Sequence, residues 1–206
     1  EAGMGGARGL EPGLLQGRLM LNLDTEDWGE FYLGCAGGLD VNVERPGESE
    51  SLPAEMEVFR IRLSGLRGGH SGVNIHEERG NAIKLLVRVL CDLEKTLPFR
   101  LASLSGGTAR NALPREANAT LVLAPAQLDE FDKALAEWQR RLNESLSGVE
   151  SGIRLVATEA SATQLLSHTD QALWLNTLNA APHGVWRMSQ RVPGVVDTSN
   201  NLGMLD

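Results

Sequence analysis

The sequence predicts an α/β chain whose larger part is α+β, with strands and helices in the order β-α-β-β-α-β. Three observations carry that expectation. Apolar residues recur at helical spacing in two segments, about 80–95 and 128–146. Four shorter runs of strand type flank them, near 57–66, 100–105, 117–123 and 153–159. Residues 1–31 read differently, as a Gly- and Ala-rich lead followed by one apolar run that ends in carboxylates.

Along the chain, Glu11-Pro12 predicts the opening of a short helix. Arg18–Leu23 predicts a strand that ends at Asp24-Thr25-Glu26-Asp27. Carboxylates at the end of a strand suit the carboxyl edge of an α/β sheet, where such sheets place their sites. Glu44–Glu55 is polar and holds two prolines, so it predicts a loop. Val58–Leu63 forms the first strand of the regular part. Ile83, Leu86, Val87, Leu90 and Leu93 share one face of the first helix, and Pro98 lies past its end. Ala117, Ala119, Leu121 and Leu123 alternate along the third strand. Pro125 and Asp129 introduce the second helix, whose buried stripe is Phe131, Leu135, Trp138 and Leu142. Ile153–Glu159 is the fourth strand. That order is the ferredoxin-like split unit, one sheet with both helices on a single face.

Residues 161–206 start something new. Thr169–Asn179 predicts a helix that ends before Pro182, and Trp186 and Val195-Val196 predict strands, with a further strand at Asn201–Asp206. The piece is too short to close a core alone. The expected organisation is therefore 1–32 as a fragment of an α/β domain, 33–160 as the ferredoxin-like unit, and 161–206 as the truncated start of a second, similar unit.

The chain has 206 residues, 42% of them hydrophobic and 22% charged, as in ordinary globular domains. A formal net charge of −8 disfavours a nucleic-acid partner. No apolar run approaches the roughly 18–20 residues that span a bilayer, so no membrane partner is expected. Cys35 and Cys91 form neither a disulfide framework nor a zinc knuckle, and Cys91 is expected to be a small buried hydrophobe. Such usage fits a reducing cytoplasm.

Gly68-Gly69-His70-Ser71-Gly72 is the sharpest chemical feature. Glycines serve where a backbone turns tightly and a ligand comes close. A histidine held there can donate to a carbonyl oxygen or a developing oxyanion; a solvated loop histidine is the plain alternative. His76 is its decoy, while His168 and His183 read as surface residues. Gly106-Gly107-Thr108-Ala109-Arg110-Asn111 is the second feature. The Asn111 amide can bond a peptide backbone or a carboxylate, or can close an Asx turn between strands. Arg110 can pair with a substrate carboxylate. Glu1 and Asp24 are candidate metal ligands, since hydrolase zinc sites combine carboxylates with imidazoles. Glu1 equally fits a solvated residue and Asp24 a turn cap, with Glu26 and Asp27 as rivals.

Six stretches together resemble one family. They are Glu1-Ala2-Gly3-Met4-Gly5-Gly6-Ala7, Leu21-Asn22-Leu23-Asp24-Thr25-Glu26, Gly34-Cys35-Ala36-Gly37-Gly38, Gly65–Gly72, Gly106–Glu116 and Thr198-Ser199-Asn200-Asn201-Leu202-Gly203. They resemble the bacterial aminoacylhistidine dipeptidases, di-zinc amidohydrolases related to carnosinase and carboxypeptidase G. The resemblance implies a catalytic α/β domain holding two zinc ions, with cobalt or manganese as alternative metals, and a lid that closes over a dipeptide substrate. By that resemblance Glu1 and Asp24 match two metal ligands. His70 matches the lid histidine that steadies the tetrahedral intermediate, and Asn111 the lid residue that holds the substrate's backbone or carboxylate. The general base, the bridging Asp, both His ligands and the lid arginine would lie outside this sequence, so the chain alone is expected to be inactive. A homodimer and a cytoplasmic location are compatible with the family. A related deacylase or tripeptidase, or a ferredoxin-like association module, are the competing expectations.

Overall fold

The computed structural model describes residues 5–23, 28–32 and 35–206. It divides into two compact units, Glu1–Val41 and Asn42–Asp206.

In the first unit the described residues are exposed, and the assigned element among them is the single helical turn α1, Gly5–Arg8. Two expectations are corrected here. Glu11-Pro12 opens a turn, not a helix. Pro12 is followed by Gly13 at φ 86°, and the Leu14 N–H donates to the Glu11 carbonyl at 3.2 Å. Pro then Gly with positive φ is turn chemistry. Arg18–Leu23 is not a strand: it has no ladder partner among the described residues, and Leu19, Met20, Leu21 and Leu23 are 80%, 81%, 74% and 86% exposed. A strand needs a neighbour for its N–H and C=O groups.

The second unit runs β1 (Ser49–Ser51), β2 (Glu57–Ser64), β3 (Gly69–His70), α2 (Ala82–Leu93), β4 (Arg100–Gly106), β5 (Ala112–Leu113), β6 (Ala117–Leu123), α3 (Leu128–Ser145), β7 (Arg154–Glu159), β8 (Gln164–Leu166), α4 (His168–Ala180), β9 (Gly184–Met188) and β10 (Val196–Asn200). The main sheet has the order β4-β6-β2-β7 with every pair antiparallel. Both crossovers, through α2 and α3, pack on one face. This is the ferredoxin-like arrangement the periodicities predict.

The core follows from the two periods. Ile61 and Leu63 of β2 and Ala119, Leu121 and Leu123 of β6 point to one face. Ile83, Leu86, Val87, Leu90 and Leu93 of α2 and Phe131, Leu135 and Leu142 of α3 cover it. Burying each large aliphatic side chain stabilises the fold by about 1.5–3 kcal/mol. Asn81 caps α2, its side-chain oxygen accepting from the Lys84 N–H at 3.1 Å. Cys91 is half-buried against the core, and burial pushes its thiol pKa up.

The 44–55 loop contains the short strand β1, which pairs with β8. Residues after 161 pack onto the same unit. Leu175 and Leu178 of α4 join the core of α2, and the Lys84 ammonium donates to the carbonyls of Leu178, Asn179 and Ala181 at 2.7–2.8 Å. That places a cation on the negative end of the α4 dipole.

Candidate functional site

Two short strands inserted into the ferredoxin-like plan build the site. β3 leaves the end of β2, and β5 follows the β4 turn. They pair antiparallel, Gly69 opposite Leu113 and His70 opposite Ala112. The Ser71 N–H then donates to the Asn111 carbonyl at 2.8 Å. His70, in the ladder, and Asn111, the residue just before β5, are 41 positions apart in sequence and are brought together by this pairing, both exposed.

The glycines before His70 are required by the chain path. Gly68 has φ 65° and Gly69 φ 140°, and a Cβ on Gly69 would come within 2.6 Å of the Asn74 side chain. That side chain is in use: its oxygen accepts the His70 N–H at 2.9 Å, and its nitrogen donates to Glu77 at 2.7 Å. Arg79 completes the brace, donating to Glu77 at 2.6 Å and to the Gly68 carbonyl. Asn74 and then Arg79 hold the Glu77 carboxyl below its ordinary pKa.

The imidazole is oriented as well. The Gly72 N–H donates to His70 Nδ1 at 3.0 Å. Nδ1 is then the acceptor, so the neutral ring carries its proton on Nε2. Nε2 has no partner among the described residues, and neither does the Asn111 side chain. What the arrangement offers is a free N–H donor and, at the start of the paired strand, a free amide, each on a backbone held by hydrogen bonds. Such a pair can bind a carbonyl oxygen and a neighbouring peptide or carboxylate group.

Sequence reasoning missed the residue that closes the loop. Glu150 is 3% exposed, and its two oxygens accept the Arg67 N–H at 2.8 Å and the Gly80 N–H at 2.9 Å. One carboxylate thus joins both ends of the 67–80 segment. It stands between α3 and β7, outside any periodic pattern, so no sequence signal marks it. His183 was expected at the surface and is corrected. It is half-buried, with Nδ1 3.1 Å from the Asn81 amide, and burial and the Lys84 charge lower its pKa to about 4. His76 and His168 are exposed, as is Arg110 beside Asn111.

Glu1 and Asp24 lie outside the described residues. Among the described residues there is no group of three or more His, Cys, Asp or Glu placed to hold a metal ion. A shallow groove of about 430 Å³ on the open sheet face, lined by Arg60, Arg62, Asn118 and Arg154, includes neither His70 nor Asn111. Among the described residues no helix is long and apolar enough to cross a membrane.

Residues 61–150 match the family model described as the peptidase dimerisation domain. Over all 206 residues the chain is 41% identical to the cytosol non-specific dipeptidase of Escherichia coli (strain K12), covering 42% of that protein. Its structure is similar to the aminoacylhistidine dipeptidase of Vibrio alginolyticus, with a TM-score of 0.82 and 41% identity over 99% of this chain and 42% of that one. The chain thus spans less than half the length of the relatives it matches. The resemblance read from the six sequence stretches is borne out over the whole chain.

Proposed function

We propose that this relative of the aminoacylhistidine dipeptidases is the lid-bearing part of a metal-dependent dipeptidase that hydrolyses Xaa-His and other dipeptides. The observation that carries the proposal is the β3–β5 ladder, which holds a tautomer-fixed His70 opposite the start of the strand that Asn111 leads into. His70 donates from Nε2 to the substrate carbonyl oxygen as negative charge gathers on it. The donor is held before reaction begins, so little reorganisation is needed. Asn111 holds the substrate's backbone or carboxylate through its amide. Closure of the lid excludes water from both contacts.

Zinc is the proposed metal, with cobalt or manganese as alternatives; when bound it would lower the pKa of a water and polarise the carbonyl. Glu1 and Asp24 are proposed as two of its ligands. Two carboxylates do not close a zinc site, so the chain by itself is proposed to be inactive and to bind zinc weakly. The dimerisation-domain match supports a homodimer, and the name of the Escherichia coli relative supports a cytoplasmic location.

The test is cleavage of β-alanyl-histidine by the complete protein, with and without a chelator and with zinc restored. Chelator-sensitive, zinc-restored cleavage supports the proposal. His70→Ala in that protein is expected to lower kcat about a hundredfold, the usual loss for one oxyanion donor. Absence of cleavage across a dipeptide panel by folded, metal-loaded protein would move the function to a deacylase relative. Undiminished turnover in His70→Ala would remove His70 from the reaction.

A further inference from the structure

The segment Thr198–Leu205 has no role in the chemistry above, yet at Asn201, Gly203 and Leu205 it touches the loop that carries Asn111. The Asn201 side-chain nitrogen donates to the carbonyls of Arg110 at 3.0 Å and Ala112 at 2.9 Å. The carbonyl between them, that of Asn111, accepts from the Ser71 N–H at 2.8 Å. Three consecutive carbonyls are thereby held, two of them by one amide group. Gly106 and Leu205 exchange backbone hydrogen bonds at 2.8 and 2.9 Å. Between these contacts the two segments nearly touch. A Cβ on Gly203 would lie 2.8 Å from the Arg110 oxygen, and one on Gly107, at φ 73°, would lie 1.9 Å from the Gly203 oxygen. The brace is anchored in turn, since the buried Asn81 that caps α2 donates to the Leu202 carbonyl at 2.9 Å.

We propose that Asn201 is a positioning residue that fixes the backbone on both sides of Asn111 and so sets the direction in which the Asn111 amide meets substrate. The proposal rests on the assignment of Asn111 as the substrate-holding residue. The chemistry is specific. A side-chain amide carries two N–H donors, so one Asn can serve both carbonyls at once, and Ala, Ser or Asp cannot. With the flanking peptides held, Asn111 keeps only side-chain freedom to lose on binding, and a loop released from the brace would add backbone freedom to that loss.

The experiment is a double-mutant cycle in the complete protein with β-alanyl-histidine as substrate. Asn201→Ala is expected to lower kcat/KM about tenfold to a hundredfold, the scale of a small misplacement, with the larger share in KM. In the Asn111→Ala background the same change is expected to cost less than about twofold, because its effect passes through Asn111. Hydrogen exchange read by mass spectrometry should rise in Asn201→Ala for peptides covering 68–74 and 106–114, while exchange in α3 stays unchanged. Gly203→Ala, which displaces the brace by contact with the Arg110 oxygen, is the second variant and should reproduce both results if Asn201→Ala folds poorly. A loss that adds in full on top of Asn111→Ala, or no loss and no change in exchange, overturns the proposal. If Asn111→Ala itself leaves KM unchanged, the assignment of Asn111 is what has failed.

Discussion

Arg18–Leu23 and Glu57–Ser64 have comparable strand patterns and opposite outcomes. The first has four large apolar side chains more than 70% exposed and no ladder partner among the described residues. The second lies between β6 and β7, and its Ile61 and Leu63 are fully buried beneath two helices. The difference shows that alternation along a chain states only what a backbone is able to pair with. Whether it becomes a strand depends on neighbours that supply the missing hydrogen bonds and on a layer that covers the apolar face.

The comparison breaks most visibly by truncation. Ile61→Ala is expected to cost about 2–5 kcal/mol in urea unfolding of this chain, as for other large-to-small core changes. Leu21→Ala should stay within about 0.5 kcal/mol, as for a surface change. Equal costs would mean that residues 18–23 are packed in solution. A smaller effect sharpens the contrast between held and unheld loops. Glu150→Gln replaces one charged acceptor by a donor facing an N–H. It should cost about 1–3 kcal/mol and speed exchange of the Arg67 and Gly80 amides. Unaltered exchange there would show that the 67–80 segment is held by other contacts.

A further contrast concerns pH. Burial lowers the His183 pKa from 6.5 to about 4 in the folded chain, so the unfolded chain takes up the proton first as pH falls. The neutral ring therefore contributes stability in full above about pH 6.5, and that contribution is lost as pH falls through about 4. Asp170, held to about 2 by the Arg45 guanidinium and then the Glu48 N–H, loses its contribution only between 3.8 and about 2. The two windows are separate. Melting temperatures at pH 7 and pH 4.5 should differ more for the wild-type chain than for His183→Gln. Equal differences would place the acid sensitivity elsewhere.

Much of the second unit was legible because its pattern and its burial obey the same periods. The boundaries of β2, α2, β6 and α3 fall within about two residues of the sequence expectation, and the predicted stripes of both helices face the core. The site was legible in part. Glycines crowding a histidine mark a place where backbone must bend, and Gly68 and Gly69 do adopt positive φ. Illegible were the partners that act across long separations. Glu150 reaches back 83 and 70 positions to Arg67 and Gly80, and Asn201 reaches 91 and 89 positions to Arg110 and Ala112. No local spacing encodes such pairs, because each is a lone polar residue whose neighbours in sequence are not its neighbours in space.

By itself, then, the sequence determined which segments of the second unit become strands and helices, which faces they bury, and which two residues carry the candidate chemistry. Those properties depend on side-chain type and spacing within a dozen residues. Tertiary structure alone decided that Arg18–Leu23 pairs with nothing described, that the segment after 161 packs on α2, and that the strand holding His70 pairs with the strand Asn111 leads into. Each of these turns on hydrogen bonds and buried area between distant segments, which exist only once the chain has closed on itself.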